Sequence, residues 1–449
     1  MKVGAFILVG VVITGVWVSA KALASDRMES PSLSEELTIA TFLFPIGEPV
    51  TVTSGDFDKD GHDELFVVTA INEPSMTIGP RGLMLVPNPK YEMRFFVLAF
   101  RDNNFGEPFL VDAIPAPDQM IGPHKPIVID LDNDGKLDVI VLLFFATLLP
   151  ETVFEDFKAR LLIYWGQGDY TFVRTEVPLD LAYVPFINPC NQVGVGDLDS
   201  DGLFDLLFPD SRYVRLKILY NFGNRNFSDP EHVWVQQDGD ECLPIPLSIH
   251  VQNDIIIVAG PCLYSENEFD FFVRTISRSE HGGWEYSPLF LRNRRVQDFE
   301  DAVWDIGIVD VNADGQPDIL FLGPPELAEP SIPRVGPSYV GLYLVEGKNY
   351  EKIARPDFVA WVEKGTFLSI EAGVDGGLVI LVLPEVGIRY KHLWVVTSSG
   401  WMTSSRTLGG RGHLVDGVLI NRSTTRELIL LASVDFESEI TVINVVRGW

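Results

Sequence analysis

Residues 129–142 read IDLDNDGKLDVIVL and join an acidic loop to a β-strand pattern. With Asp130 at position 1, acids occupy positions 1, 3 and 5, glycine occupies position 6, and another acid occupies position 9. A short apolar run rich in β-branched residues follows directly, which is typical of a strand. The stretch therefore predicts a tight acidic loop that leads into a buried strand.

The same pattern occurs three more times, with asparagine once replacing aspartate at position 3. The copies are GDFDKDGHDELFVV at 55–68, GDLDSDGLFDLLF at 196–208 and VDVNADGQPDILFL at 309–322. One match could arise by chance, but four matches that each enter the same strand pattern are a strong signal.

Three degenerate copies complete a longer series. The gap from Asp197 to Asp310 is nearly twice the earlier gaps, and residues 247–258 fill it with two apolar runs around a shortened loop. Residues 367–383 and 416–432 show the same organisation. Seven copies give a period of about 61 residues, which is typical of a propeller or a solenoid.

A second pattern lies between the copies. Residues 95–111, 161–177, 217–233 and 340–356 each read as a strand, a glycine or asparagine turn, and an aromatic residue that opens another strand. One unit is then two hairpins, or four antiparallel strands, and no stretch shows a sustained helical period. We predict an all-β chain, a seven-bladed β-propeller of four-stranded antiparallel blades.

On these residues the chain resembles the FG-GAP or VCBS repeat proteins, whose blades also form the head of integrin α chains. The resemblance extends over nearly all of residues 37–449. It implies that each acidic loop links the first two strands of a blade and holds Ca²⁺. It also implies a binding or adhesion scaffold for an extracellular protein or glycan rather than an enzyme.

Calcium takes six to eight oxygen ligands, and alternate residues of a tight loop can direct carboxylates at one point. Glycine at position 6 permits the sharp turn. We therefore expect Ca²⁺ loops in four blades, with side-chain ligands at positions 1, 3, 5 and 9 and a backbone carbonyl at position 7. The side-chain ligands would be Asp56, Asp58, Asp60 and Glu64; Asp130, Asp132, Asp134 and Asp138; Asp197, Asp199, Asp201 and Asp205; and Asp310, Asn312, Asp314 and Asp318. The carbonyl ligands would be those of His62, Lys136, Leu203 and Gln316.

Two other interpretations of the loops are weaker. An EF-hand needs an acid at position 12, where this chain has Val67, Val141, Phe208 and Phe321. An Asp-Gly hairpin turn without metal is the simpler alternative for any one loop, but clustered carboxylates without a cation repel one another.

The N-terminal segment predicts export. Residues 1–24 contain Lys2, an apolar run and the sequence AKALA, which together read as a signal peptide cleaved after Ala24. An uncleaved anchor is the alternative, because the apolar run approaches the length that spans a membrane. Residues 25–36 would be a linker before the propeller at 37–449, and the protein would be secreted, periplasmic or at the cell surface.

The net charge and the absence of several catalytic motifs restrict the classes of function that the sequence allows. The chain has 34 Lys and Arg against 63 Asp and Glu, a net charge of −29, so nucleic acid and anionic membranes are poor partners. The seven histidines form no zinc motif, and neither G-x-S-x-G nor a phosphate loop is present. An enzyme is therefore less favoured, although an extracellular polysaccharide lyase or hydrolase on a propeller remains the alternative.

Three further expectations follow from the strand pattern. Cys242 and Cys262 flank a predicted hairpin and should form a disulfide, with Cys190 as the alternative partner of Cys242. The strand at residues 37–44 should complete the last blade, because that blade otherwise lacks its fourth strand. The ligand surface should lie opposite the calcium loops, where long connections at 73–92, 145–159 and 323–338 gather with those carrying Tyr183, Asp240 and residues 292–301.

Overall fold

A computed structural model shows an all-β chain, as predicted, and none of the described residues lies in a helix. Contacts divide the chain into Ile39–Arg447 and a second unit formed by Met1–Thr38 with Gly448–Trp449. The predicted signal peptide and linker lie outside the described residues. The structure describes residues 38–72, 76–79, 82–85, 91–101, 104–116, 119–123, 125–149, 152–179, 193–210, 214–252, 254–265, 268–279, 281–291, 296–297, 305–310, 317–323, 338–343, 358–362, 365–372, 378–384, 392–397, 400–402, 413–421, 426–433 and 440–447.

The described residues form 36 strands. In chain order these are β1 (Thr38–Phe44), β2 (Glu48–Gly55), β3 (Glu64–Asn72), β4 (Met76–Gly79), β5 (Gly82–Leu85), β6 (Tyr91–Leu98), β7 (Phe100–Arg101), β8 (Asn104–Phe105), β9 (Phe109–Ala116), β10 (Gln119–Pro123), β11 (Ile127–Ile129), β12 (Asp138–Leu149), β13 (Thr152–Gly166), β14 (Phe172–Leu179), β15 (Gly194–Gly196), β16 (Asp205–Asp210), β17 (Arg215–Leu219), β18 (Glu231–Trp234), β19 (Leu243–Pro244), β20 (Ser248–Gln252), β21 (Ile255–Ser265), β22 (Glu268–Arg278), β23 (Trp284–Tyr286), β24 (Phe290–Leu291), β25 (Val296–Gln297), β26 (Asp305–Val309), β27 (Asp318–Gly323), β28 (Ser338–Tyr343), β29 (Phe358–Val362), β30 (Gly365–Ala372), β31 (Leu378–Pro384), β32 (His392–Thr397), β33 (Gly400–Met402), β34 (His413–Asn421), β35 (Arg426–Ser433) and β36 (Thr441–Arg447).

These strands build seven antiparallel sheets of four or more strands, together with the small hairpins β4–β5 and β7–β8. Sheet 1 has the order β2-β3-β6-β9, and sheet 2 has β12-β13-β14 with both β10 and β11 on the free edge of β12. Sheet 3 has the order β15-β16-β17-β18. Sheet 4 has β21-β22-β23, with β19 and β20 on β21 and with β24 and β25 on β22. Sheets 5, 6 and 7 have the orders β26-β27-β28-β29, β30-β31-β32-β33 and β34-β35-β36-β1.

Each repeat falls on the first hairpin of a sheet, as the sequence predicts. The four acidic loops join the first two strands of sheets 1, 2, 3 and 5, and the degenerate copies form the first hairpins of sheets 4, 6 and 7. The sequence predicts a long irregular connection at 145–159. That prediction is wrong, because β12 and β13 extend into this segment and pair as far as Leu149 and Thr152. The fourth strand of sheet 5 is described from Phe358 to Val362, and the residues near 350 lie outside the described ones.

The described residues form four apolar clusters between successive sheets. The cluster between sheets 1 and 2 contains Phe66, Phe95 and Tyr164, whose ring centroids are 5.2–6.1 Å apart. The others lie between sheets 7 and 1, sheets 2 and 3, and sheets 3 and 4. Burying one such aromatic side chain stabilises the fold by about 1.5–3 kcal/mol. Contacts between neighbouring sheets therefore hold the acidic loops in place.

Successive first strands also approach one another closely. A Cβ atom built on Gly194 would lie 2.7 Å from Ile249, and one on Gly196 would lie 2.2 Å from Val251. Only glycine at these two positions lets β15 approach β20 so closely. Strand β34 of the last sheet likewise contacts β2 of the first.

The N-terminal strand completes the last sheet, so the predicted exchange is confirmed. Strand β1 pairs with β36, and Phe42 and Phe44 pack against the cluster shared by sheets 7 and 1. Thr441 Oγ1 donates a hydrogen bond of 2.8 Å to the carbonyl of Gly47. The N-terminal and C-terminal strands thus stabilise each other.

The predicted disulfide is also confirmed. Cys242 and Cys262 are bonded, with Cα atoms 5.5 Å apart, where β19 lies along β21. The alternative partner, Cys190, lies outside the described residues.

Candidate metal centres

The three described acidic loops share one backbone conformation. Glycine at position 6 has a positive φ of 80–87° in all three. Position 4 also adopts the left-handed region, with φ of 60–63° at Lys59, Asn133 and Ser200. The sequence pattern indicates glycine at position 6, but nothing in it marks position 4, which is occupied by three different residue types.

The carboxylate at position 1 stabilises this turn from inside. In the second loop, Asp130 Oδ1 accepts the N–H of Asp134 at 3.0 Å, and Asp130 Oδ2 accepts the N–H of Gly135 at 2.8 Å. Asp56 and Asp197 make the same pair of bonds in their loops, at 2.9–3.1 Å. A short aspartate side chain is suited to such local bonds with its own backbone.

The acid at position 9 begins the second strand and is buried in every described loop. Asp138 is 0% exposed; it accepts the N–H of Leu131 at 2.9 Å and that of Gly166, at the end of the third strand, at 2.8 Å. Asp205 accepts the equivalent bonds from Leu198 and Asn221. This side chain therefore ties the loop to the third strand of its sheet.

Glu64 in the first loop differs slightly from these aspartates. It is one methylene longer, and it accepts the N–H of Phe57 at 2.9 Å. Burial raises the pKa of Glu64 to about 8, with a smaller rise from the nearby carboxylates of the loop. Burial likewise raises the pKa of Asp138 and of Asp205 to about 6, although their backbone hydrogen bonds oppose the rise.

Positions 1, 3 and 9 converge in each of the three fully described loops. One oxygen from each of the three carboxylates lies within 4.8 Å of the other two, and the groups are Asp56, Asp58 and Glu64; Asp130, Asp132 and Asp138; and Asp197, Asp199 and Asp205. The predicted ligands at position 5 are not members of these groups. Asp60, Asp134 and Asp201 instead accept the N–H of position 7 at 2.8–3.0 Å. The carbonyls of His62, Lys136 and Leu203 remain predicted ligands.

The fourth loop is described only at its two ends. Asp310 follows β26, and Asp318 begins β27 with no exposed surface, as position 9 does in the other loops. The predicted ligands Asn312, Asp314 and Gln316 lie outside the described residues.

Side chains from other turns reach two of the loops. Arg101 forms ion pairs with Asp58 and with Asp60, and the Tyr170 hydroxyl of sheet 2 donates to Asp58 Oδ2 at 2.6 Å. In the second loop, Arg225 of sheet 3 donates to Asp132 Oδ2 at 3.0 Å. Sequence reasoning missed Arg101, Tyr170 and Arg225, because their contacts depend on how turns and sheets pack.

The donor set fits a hard cation. Every converging side chain offers carboxylate oxygen and none offers nitrogen or sulfur, which suits calcium or magnesium rather than zinc. Asp132 Oδ1 is buried and has no hydrogen-bond partner. A buried carboxylate oxygen left in this way is unfavourable, and a cation among the three carboxylates would satisfy it.

The comparison with known families supports the same loops. Residues 130–208, which contain the second and third of them, match the FG-GAP-like repeat. The resemblance to FG-GAP repeat proteins is therefore confirmed, on a match that runs from the second acidic loop through β12, β13 and β14 into the first hairpin of sheet 3.

Several solved structures are distantly similar to the chain. A protein of unknown function from Dyadobacter fermentans is 11% identical, with 91% of this chain and 99% of that chain covered and a TM-score of 0.42. An ulvan lyase of polysaccharide lyase family PL25 is 11% identical, with coverage of 88% and 93% and a TM-score of 0.42. AofleA from Arthrobotrys oligospora is 8% identical, with coverage of 91% and 92% and a TM-score of 0.37. No curated protein matches the chain.

The described residues include no helix of the length and apolarity needed to cross a membrane.

Proposed function

We propose that the chain is a secreted seven-bladed β-propeller, stabilised by calcium, that serves as a rigid binding scaffold for a protein or glycan. The observation that carries the proposal is the threefold recurrence of one carboxylate group, always between the first two strands of a sheet. The unpartnered Asp132 Oδ1 supports a cation in the second group. The ligands would be those predicted at positions 1, 3, 5, 7 and 9.

The seven sheets would be the seven blades. Each would pack on the next through its first strand, and β1 would close the ring by completing the sheet of β34, β35 and β36. The contact between β34 and β2 supports closure, as do the contacts of β20 with β15 and with β26. A closed ring leaves no long sheet edge open to aggregation, which suits a protein that works in dilute extracellular solution.

The role we propose for calcium is structural. Each ion would neutralise carboxylates that otherwise repel one another, within a loop already bonded to neighbouring elements. Asn221 of sheet 3, for example, donates its side-chain N–H to the carbonyl of Leu131 in the second loop at 2.8 Å. A cation in the second loop would thus stabilise the contact between sheets 2 and 3 as well as the loop itself.

Three features support export. The N-terminal residues read as a signal peptide, and the Cys242–Cys262 disulfide suits an oxidising compartment. The strongly acidic composition is compatible with a calcium-rich exterior.

The ligand surface would lie on the face of the propeller opposite the calcium loops. The connection between β18 and β19 would lie on that face, and within it Asp238 and Glu241 are exposed. Asp240 of the same connection is less available, because it forms a buried ion pair of 2.7 Å with Arg274. This pair fixes the base of the connection and leaves its tip to the solvent.

Measuring binding to native cell surfaces and to a glycan array tests the proposed role as a binding scaffold. The double charge reversal Asp238→Lys with Glu241→Lys should abolish binding and leave the melting temperature unchanged. The matched control is Asp229→Lys, an exposed charge reversal in the same sheet but on the face with the calcium loops. Binding that survives the first change and is lost in the control would contradict the assignment of faces. If the protein cleaved any polysaccharide in a test panel, the alternative function, an extracellular lyase or hydrolase, would be supported instead of the scaffold.

A further inference from the structure

The first acidic loop differs from the others in how its position 3 carboxylate is used. Asp58 Oδ2 accepts hydrogen bonds from both Arg101 and the Tyr170 hydroxyl. Asp58 Oδ1 accepts the N–H of Asp60 at 3.2 Å. Arg101 also pairs with Asp60 at 2.8 Å and lies 3.1 Å from the Tyr170 oxygen. Both oxygens of Asp58 are therefore engaged, and the guanidinium bridges two acids of the loop.

In the second loop, one carboxylate oxygen at position 3 has no hydrogen-bond partner. Asp132 Oδ2 accepts the Nε–H of Arg225, but Asp132 Oδ1 has no partner. The Arg225 guanidinium lies 5.0 Å from the centre of the Trp165 ring, a stacking contact that keeps it to one side of the carboxylate. An ion could therefore bind Asp132 without displacing Arg225.

Among the described residues, the third loop has no such competitor. Of the lysines and arginines that the structure describes, none forms an ion pair with Asp197, Asp199, Asp201 or Asp205. Asp199 Oδ1 accepts only the N–H of Asp201, at a long 3.3 Å. At position 3, both carboxylate oxygens are bonded in the first loop, one is bonded to an arginine in the second, and one is bonded to a backbone N–H in the third.

We propose that Arg101 is a built-in competitor for calcium at the first loop, which makes this site the weakest and most readily exchanged of the described three. The inference rests on the proposed function, since it presumes that the loops hold calcium. An ion that binds Asp58 must displace the guanidinium or remain close to its positive charge. The Arg101 side chain is 53% exposed, so it can move into solvent when calcium enters.

The size of the effect follows from electrostatics. In water, a unit charge about 4 Å from a divalent ion changes its affinity by about thirtyfold, which is about 2 kcal/mol at 1.4 kcal/mol per factor of ten. Removing the Arg101 charge should therefore tighten the first site by about thirtyfold. The second and third sites should change less, because the described ion pairs of Arg101 are all with acids of the first loop.

Calcium titrations against a chromophoric chelator test this, because they resolve the stepwise affinities. The change is Arg101→Gln, and the matched control is Arg94→Gln, which removes the same charge from another ion pair of sheet 1. The Asp56→Asn variant identifies the first site, since it should delete the weakest step of the wild-type titration. In Arg101→Gln that step should tighten about thirtyfold, whereas Arg94→Gln should match the wild type.

Conservative variants exclude a merely structural role. Arg101→Lys keeps the charge and should retain the weak first step, and Tyr170→Phe should tighten that step by a smaller factor. An unchanged or weakened first step in Arg101→Gln, with the other steps intact, would overturn the role of Arg101 and leave the calcium loops standing. A wild-type protein that binds no calcium at all would overturn both proposals.

Discussion

Lowering the pH from 8 to 5 should stabilise the folded chain in EGTA but destabilise it in saturating Ca²⁺. The groups responsible are the buried acids at position 9. Burial raises the pKa of Glu64 from 4.5 to about 8, and it raises that of Asp138 and of Asp205 from 3.8 to about 6. In the unfolded chain these acids regain their ordinary pKa values.

The direction in which stability changes with pH follows from proton binding. Between the unfolded and the folded pKa, the folded chain holds a proton that the unfolded chain has lost, so stability in EGTA falls as the pH rises. The slope is at most about 1.4 kcal/mol per pH unit for each such group. Near pH 5 all three acids contribute, which gives about 4 kcal/mol per unit, whereas from about pH 6 to 8 only Glu64 contributes. Saturating calcium binds the ionised acids, so stability then falls as the pH drops.

Urea unfolding followed by tryptophan fluorescence, at each pH in EGTA and in Ca²⁺, measures both slopes. The control is Glu64→Gln, which cannot ionise and should flatten the EGTA slope above about pH 6. Stability in EGTA that rises between pH 5 and 8, or slopes of equal sign in EGTA and Ca²⁺, would refute the reasoning.

Three shorter predictions concern the scaffold. Replacing both Cys242 and Cys262 by alanine should lower the free energy of unfolding by about 3 kcal/mol, the value for a disulfide that closes a loop of about 20 residues; an unchanged urea midpoint would contradict it. Deleting β1 should give insoluble or strongly destabilised protein, because it exposes β36 and the aromatic side chains beneath, and a truncation that melts like the parent would disprove the closure. Gly202→Ala should lower the free energy of unfolding by about 1 kcal/mol, because its positive φ alone is unfavourable for alanine. Gly283→Ala is the control: a Cβ meets no atom at either position, and the loss there should be smaller. Equal melting temperatures would show that position 6 does not need glycine.

The parts of the fold that depend on local pattern could be predicted from the sequence. The acidic loops, the strands that follow them and the pairing of Cys242 with Cys262 all rest on short-range spacing, and the structure has each of them. The exchange of β1 was predictable because the last repeat lacks a strand. Extended strand length was not predictable at 145–159, since an apolar run does not show where pairing stops.

The candidate site was predictable in part for a similar reason. Spacing indicates which acids share a loop, and three of the four side chains predicted in each described loop do converge. It does not indicate that Asp134 accepts the N–H of Lys136 and is not a member of that group. Nor can it reveal Arg225, which lies 93 residues from its partner Asp132 and meets it only because sheets 2 and 3 pack together.

Calcium content after exhaustive dialysis against a calcium buffer tests the central claim most directly. Elemental analysis should find about four ions per chain, three from the described carboxylate groups and one from the loop between β26 and β27. Asp56→Asn, Asp130→Asn and Asp197→Asn should each remove one ion. Fewer than one ion per chain, or the same content in all three variants, would contradict the account.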